Sequence, residues 1–303
     1  MIATLLRVSE QVLLYLPLAC GGYVSFSLLR IPNFSFEGAF VFGAYCGATA
    51  TSLLHGLHPV LLICVATLSA MIGGTLIGLC MGLIATMGKI PYLLASIITL
   101  GLCQGLHIYV LGGSLMPLTG NNPLAVGLIP THPELPILGL LGAVLTIFFT
   151  LFLSTQLGVC LAVYGQNPAF LKHHGISTHY VVVMGIMLSN ALAGLSGFFV
   201  AQSSGFIDMN SGTGLSLLCV TVLILGNVSK QELTIVKLKP YFTSSLIPIT
   251  GMVLYCSIQQ ALLMVGCNLK YFTALQAGIV LCIMIYMRKS NNAINIHTDH
   301  LGV

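Results

Sequence analysis

The sequence predicts an all-α polytopic membrane protein of about nine transmembrane helices, some of them discontinuous. Three observations carry that expectation. Of 303 residues, 57% are hydrophobic and only 5% are charged, where a soluble domain is nearer a quarter charged, and the mean hydropathy is +1.02. The few charges separate apolar runs, most of them long enough to cross ~30 Å of hydrocarbon. The basic residues also fall mainly on one side of the alternating pattern. A net charge of +4 is too small to suggest a nucleic-acid partner, so the chain divides into spans rather than soluble domains.

Residues 11–29 form a first charge-free span that Pro17 is expected to bend. Arg7 and Glu10 precede it and no A-x-A cleavage site follows, so this is not read as a signal peptide. The polar cluster Arg30-Ile31-Pro32-Asn33-Phe34-Ser35-Phe36-Glu37-Gly38 interrupts the apolar sequence. Residues 38–88 then hold no Asp, Glu, Lys or Arg and are divided by His55-Gly56-Leu57-His58-Pro59, giving spans two and three. Lys89-Ile90-Pro91 ends the third, and 92–112 form the fourth. Residues 113–136, with Pro117, Pro123, Pro130, Pro133 and Pro136, read as an extramembrane loop before a fifth span over 137–160. Residues 181–204 make the sixth span, and Gly205 to Gly212 form a polar break. Residues 214–228 make a seventh span, short for a full crossing. The eighth, 242–265, is bent at Pro248, and the ninth, 271–287, stops at Arg288-Lys289. The transmembrane domain is thus 1–289, with a polar, disordered tail over 290–303.

Nine spans put the termini on opposite sides. With the loop around Lys172 in the cytoplasm, Arg30, Lys89, Lys172, Lys230, Lys237, Lys239, Arg288 and Lys289 are inside and only Arg7 and Lys270 outside. That bias places the N-terminus outside and the C-terminus in the cytoplasm.

The longest polar stretch inside the helical region is Tyr164 to Ser177, within a loop over about 164–180. Asn167 before Pro168 suits an N-cap followed by proline at the first helical position, and Gly175 suits a left-handed stop. The stretch reads either as a two-turn helix on the membrane surface or as a plain connection. Small residues recur every fourth position in span two (Ala39, Gly43, Gly47), span three (Ala66, Ala70, Gly74, Gly78, Gly82) and span six (Gly185, Ser189, Ala193, Gly197, Ala201, Gly205). Such stripes let helix backbones approach closely, within one chain or between subunits.

Catalytic and metal motifs are missing from the sequence. Gly82 to Lys89 departs from a phosphate loop, with glycine spacing one residue too long and Ile90 where Ser or Thr would bind Mg²⁺. No nucleotide site, resident cofactor, metal site or catalytic residue is assigned. The ten cysteines lie mostly in apolar stretches and read as packing residues, as does the lone intramembrane His107. Asn33, Glu37, Gln104 and Gln202 are the candidates for a substrate path. Pro32-Asn33 suggests a helix that restarts near Asn33 or Ser35, which would put Glu37 where a half-helix dipole favours negative charge. An interfacial, solvated Glu37 is the alternative, solvation alone accounts for Asp208, and the two glutamines equally suit helix–helix contacts.

Four stretches together resemble a known family. Leu29 to Phe40 followed by Gly43-Ala44 resembles an I-P-D-L-T-V-E-G-S-F…G-A segment; Asn167-Pro168 to Gly175-Ile176 resembles an N-P…G-[IV] loop. Leu188-Ser189-Asn190 to Gly197, Ala201-Gln202 and Gly205-Phe206 resemble L-S-N…L-S-G…A-Q…G-F, and Leu269 to Ala274 resembles D-L-K-x-x-T-A. These belong, in this order, to inner-membrane permeases of bacterial ABC importers of the branched-chain amino acid and ribose type, most of all to the tryptophan/tyrosine-type systems. The resemblance implies a permease that pairs in the bilayer, commonly as a homodimer, and receives a small solute such as an amino acid from a periplasmic binding protein. It also implies a separate cytoplasmic ATPase subunit, which binds the ATP. The ATPase would dock on a coupling helix made here by Gln166, Asn167, Pro168, Phe170, Leu171, Lys172, Gly175 and Ile176, with Phe170 and Leu171 as apolar anchors. Two positions depart from the family: Asn33 stands where Asp is common and Asn227 where Glu follows glycine. An ion-coupled secondary transporter is the alternative, and it would require coupling carboxylates inside the spans, for which only Glu37 qualifies.

Overall fold

The computed structural model describes residues 2–54, 58–111, 115–118, 134–233, 240–266, 273–274, 276–278 and 280–281. Helix α1 (Ile2–Gly22) contains Pro17 and continues as a π-helical segment, Tyr23–Leu28. Then come α2 (Ser35–Leu53), α3 (Pro59–Met87), α4 (Tyr92–Leu111) and strand β1 (Leu115–Pro117). Helices α5 (Leu135–Ser154), α6 (Gln156–Gln166), α7 (Pro168–His173) and α8 (Thr178–Ser204) follow. Strand β2 (Phe206–Asp208), a 3₁₀ turn (Met209–Gly212), α9 (Leu215–Leu233) and α10 (Pro240–Met264) complete the order.

Among the described residues seven helical segments are long and apolar enough to cross a membrane: Thr4–Leu28, Pro59–Met87, Tyr92–Tyr109, Leu135–Ser154, Thr178–Ser204, Met209–Ser229 and Phe242–Met264. An all-α polytopic fold is as expected, but a count of nine is not reached. The expected second span is α2, rich in Gly, Ala, Ser and Thr and carrying Glu37, and it is not apolar enough to join the seven. The expected ninth span falls largely outside the described residues, and the 290–303 tail entirely so. The expected fifth span is two helices. Thr155 turns extended (φ −73°, ψ 162°) and its hydroxyl caps α6 by accepting the Gly158 amide at 3.3 Å.

Helix α8 is the centre of the bundle, with 78% of its most apolar stretch buried, against 22% for α5 and 28% for α4 at the periphery. It packs between α2 and α3 through the small residues that recur along all three. Gly43 lies against the backbone of Gly194, Gly74 against the carbonyl of Asn190 and Gly197 against the carbonyl of Phe40. A Cβ at any of these points would strike main chain, so the stripes on these three helices are seams within one chain. Around them sit Phe36, Phe40, Leu18 and Ile207 on one side and Phe198, Leu138 and Ala70 on the other, all buried.

Contacts sort the loops into two ends. At one end the Tyr92 and Tyr164 hydroxyls are 3.2 Å apart, Gly165 lies on the Leu28 carbonyl, and Leu171 shares a buried cluster with Leu29 and Ile31. Arg30, Lys89 and Lys172 therefore share that end. At the other, β1 pairs antiparallel with β2, Leu115 opposite Asp208 and Pro117 opposite Phe206, and the Leu118 amide donates to the Gly205 carbonyl at 3.0 Å.

Candidate functional site

Two helices begin inside the bundle rather than at its surface. After α1 the chain reverses at Arg30, a non-glycine residue held at φ +57°. It then re-enters as a non-helical segment until α2 starts at Ser35. The depth of that start is set by its partner: Ser35 bonds Asn190, which stands near the midpoint of α8. Helix α2 thus starts at the level of the middle of α8, a helix long and apolar enough to cross a membrane. Past α8 the chain also turns inward, until Gly212 packs on the Glu37 backbone and α9 begins at Leu215. Two helix N-termini meet around Glu37.

Backbone exposed by a helix break in hydrocarbon has no water to bond, so the break must supply its own partners. Asn33 does this for α2. Its Oδ1 accepts the Ser35 amide at 2.9 Å and the Ser35 hydroxyl at 2.6 Å, and its Nδ2 donates to Asn190 Oδ1 at 3.3 Å. Asn190 Nδ2 donates to Ser35 Oγ at 2.8 Å, closing a three-residue ring, and the Ser216 hydroxyl donates to the Asn33 carbonyl at 3.4 Å. Asn33, Ser35 and Asn190 are wholly buried and Ser216 nearly so. Asn33 is therefore buried at the break, one residue ahead of the N-cap Phe34, with its side chain accepting the first amide of α2.

Glu37 serves α9. Its carboxylate accepts the Gly214 amide at 3.1 Å, with the Ser216 amide and hydroxyl beside it, while the side chain stays partly exposed. A carboxylate at a helix N-terminus satisfies orphan donors and opposes the positive end of the dipole. Of the other two candidates, Gln104 lies on the outward face of α4, one residue beyond Cys103, which packs on Gly38. Gln202 is buried near the end of α8. The structure thus joins Asn33 and Glu37 in one site and adds Ser35, Asn190, Gly214 and Ser216, which the sequence reading did not place there. Asn190 stood in the L-S-N run, an amide in the middle of the apolar sixth span, and that was its signal. His107 stacks on Phe42 with ring centroids 6.1 Å apart, a packed residue as expected.

At the end that carries Arg30 and Lys89, the polar stretch is a helix. Asn167 Oδ1 accepts the Ala169 amide at 3.2 Å and the Phe170 amide at 3.4 Å, Pro168 opens α7, and Gly175 closes the turn at φ +72° with open space around it. Ser177 caps α8 by accepting the Tyr180 amide at 3.2 Å. Gln166, Asn167, Pro168, Lys172 and Gly175 are exposed, as are Phe170 (50%) and Ile176 (37%). Leu171, expected to face a partner beside Phe170, is only 2% exposed and anchors α7 to Leu29, Ile31 and Leu161. The outward apolar surface is instead Phe170, Ile176 and Tyr180, with the His174 ring tilted on Phe170 at 4.2 Å. The four-residue step from Phe170 to His174 was the readable signal for that pair.

Residues 4–284 match the family described as branched-chain amino acid transport system / permease component. The chain is 33% identical over 235 residues to the tyrosine transport system permease protein of Clostridioides difficile (strain R20291), covering 77% of this chain and 76% of that one. It is 27% identical over 222 residues to an uncharacterized protein of Rickettsia prowazekii (strain Madrid E), covering 73% and 76%. It is 28% identical over 187 residues to the autoinducer 2 import system permease protein LsrC of Escherichia coli (strain SMS-3-5 / SECEC), covering 61% and 53%. No solved structure matches.

Proposed function

The chain belongs to the branched-chain amino acid transport permease family, and from that premise we propose that it is the membrane-spanning subunit of an ATP-driven importer of an amino acid. The single observation that carries the reading beyond family membership is α7. It is a six-residue helix at the surface of one end of the bundle, capped at both ends, with Leu171 locked into the bundle and Phe170 turned out. A helix built this way suits docking: the buried leucine makes it rigid with the spans, and the exposed aromatic offers an anchor to a separate subunit. The end that bears Arg30, Lys89 and Lys172 is the cytoplasmic one by charge bias, so the docked subunit is an ATPase. The partners on the other side are a periplasmic binding protein and, within the bilayer, a second permease copy.

The substrate path in this reading runs past Glu37. It is the only acidic side chain in the α2 half-helix, it is partly exposed, and it sits where two helix N-termini converge. Because the carboxylate already neutralises the start of α9, the site suits a zwitterion or a neutral solute better than an anion. L-tyrosine is the first solute to try, given the name of the relative from Clostridioides difficile.

The test is uptake of radiolabelled amino acids, L-tyrosine first, into proteoliposomes holding the permease with its ATPase and binding protein. Uptake should require internal or external ATP on the ATPase side and be insensitive to collapse of the proton gradient. Glu37→Gln should raise the half-saturating concentration while the protein inserts at normal levels. Uptake that follows the proton gradient and ignores ATP would replace this reading with ion-coupled transport.

A further inference from the structure

We infer that Asn190 is a positioning residue for the substrate path, acting through α2 on a carboxylate that it does not touch. The inference rests on the reading of Glu37 as a wall of that path. Asn190 is itself held by two helices, α8 and α3. Its backbone belongs to α8, its carbonyl is covered by Gly74, and its Cβ lies 3.1 Å from where a Cβ of Gly78 would stand, so α3 leaves it no room to shift. Its amide holds both side chains that begin α2, donating to Ser35 at 2.8 Å and accepting from Asn33 at 3.3 Å. Glu37 is two residues beyond Ser35, in the first turn of α2. The direction of that turn sets where the Glu37 carboxylate meets Gly214, at 3.1 Å. The same ring reaches α9 by a second route, since Ser216 donates to the Asn33 carbonyl. Asn190 is therefore the point from which the rigid centre of the bundle, α3 with α8, sets the depth of both half-helix starts.

Its amide is suited to the task. Asn33 needs an acceptor and Ser35 a donor from the same neighbour, and a primary amide supplies one of each in a fixed plane. Removing it takes the acceptor from Asn33 Nδ2 and the donor from the Ser35 hydroxyl, which keeps only its own bond to Asn33 Oδ1, in a place where water cannot substitute. The first turn of α2 then loses its bearing on α8, and Glu37 leaves the start of α9.

The experiment uses the complete transporter in nanodiscs and proteoliposomes, with Asn190→Ala, Glu37→Gln and the double variant. Two readouts are taken: the concentration dependence of uptake, with radiolabelled L-tyrosine as probe, and hydrogen exchange of the peptide spanning 213–217. Asn190→Ala should raise the half-saturating concentration about tenfold, the effect of one unsatisfied buried polar group, with maximal rate and abundance near wild type. It should also speed exchange at Gly214 and Leu215, as Glu37→Gln does. In the double variant neither readout should move beyond the larger single effect. Additive effects, or exchange that rises only within α8, would overturn the positioning role and leave Glu37 in the path. A silent Glu37→Gln in the uptake assay would instead overturn the path reading, and this inference with it. Should L-tyrosine not be carried, hydrogen exchange decides alone: unchanged protection at 213–217 in Asn190→Ala refutes the inference. If Asn190→Ala fails to accumulate, Ser35→Ala cuts the same link from the other side and is held to the same outcomes.

Discussion

Replacing Gly197 by alanine tests whether the seam between α2 and α8 holds the fold together. The added Cβ falls on the carbonyl oxygen of Phe40, with the carbonyl carbon at 2.7 Å and Cα at 3.1 Å. Ordinary contact begins at 3.4 Å, so the two helices must part by at least 0.7 Å, the difference between 3.4 and 2.7. A gap of that size forfeits roughly a quarter to a half of each dispersion contact it opens. It opens along the whole seam, where Gly43 meets Gly194 and Gly47 meets the Phe198 ring. Overpacking of this kind costs about 1–3 kcal/mol, and main chain on the far side, with no side-chain end to swing away, puts Gly197→Ala at the upper limit. Gly101→Ala is the control: nothing lies within 4 Å of the new Cβ, and alanine in a helix is favoured over glycine by up to about 1 kcal/mol. Unfolding can be followed with a thiol-reactive dye, because Cys20, Cys103, Cys219 and Cys256 are buried until the bundle opens. Gly197→Ala should unfold several degrees below wild type and Gly101→Ala at or above it. Equal midpoints for the two variants would refute the seam.

Three further outcomes are expected. Leu171→Ala should destabilise the α7 end of the bundle by about 2–5 kcal/mol, as for other buried leucines, and lower abundance, whereas Phe170→Ala should leave the unfolding midpoint unchanged and reduce recovery of the ATPase in co-purification. Gly175→Val places a β-branched residue at φ +72° in open space. It should cost roughly 1–2 kcal/mol of local backbone strain, loosening α7 and impairing substrate-stimulated ATP hydrolysis at normal abundance; wild-type stimulation would show that the turn is an ordinary loop. In a background cleared of other reactive thiols, Ala125→Cys should label from outside intact cells and Ile235→Cys only after permeabilisation, and the reverse pattern would invert the orientation and remove α7 from the cytoplasm.

The sequence was most legible where backbone chemistry is local. Asn167, Pro168 and Gly175 announced the limits of α7 because a cap, a first-turn proline and a left-handed stop act within a few residues of themselves. It was least legible where one residue's role depends on another far along the chain. Leu171 and Phe170 are adjacent apolar residues on a helix too short to display a periodic face, so nothing local says which one points inward. The break at Thr155 has no glycine or proline to mark it, only a hydroxyl that caps the next helix. The small-residue stripes announced close approach, but the pairing of α2, α3 and α8 is a matter of topology. Asn190 stood out only as part of the L-S-N motif, because its partners Asn33 and Ser35 lie more than 150 positions away.

The low hydropathy of the second span and the dense polar motif before it have one cause. A helix that starts at the membrane surface borrows water for its first four amides, and its composition can be apolar throughout. One that starts at mid-membrane must carry acceptors of its own. In α2 this requirement places Asn33 before the first turn, its Oδ1 accepting the Ser35 amide, with Ser35 bonding Asn33 and Asn190 and Glu37 serving α9 instead. Those residues lower the hydropathy of α2 below that of its neighbours, and the glycines that let it lie against α8 lower it again. The polar run from Asn33 to Glu37 is therefore the signature of a half-helix. The same logic applies to α9, whose N-terminal acceptor Glu37 comes from another element: Asp208 caps the 3₁₀ turn ahead of it, and Gly212 lets that turn lie against the Glu37 backbone.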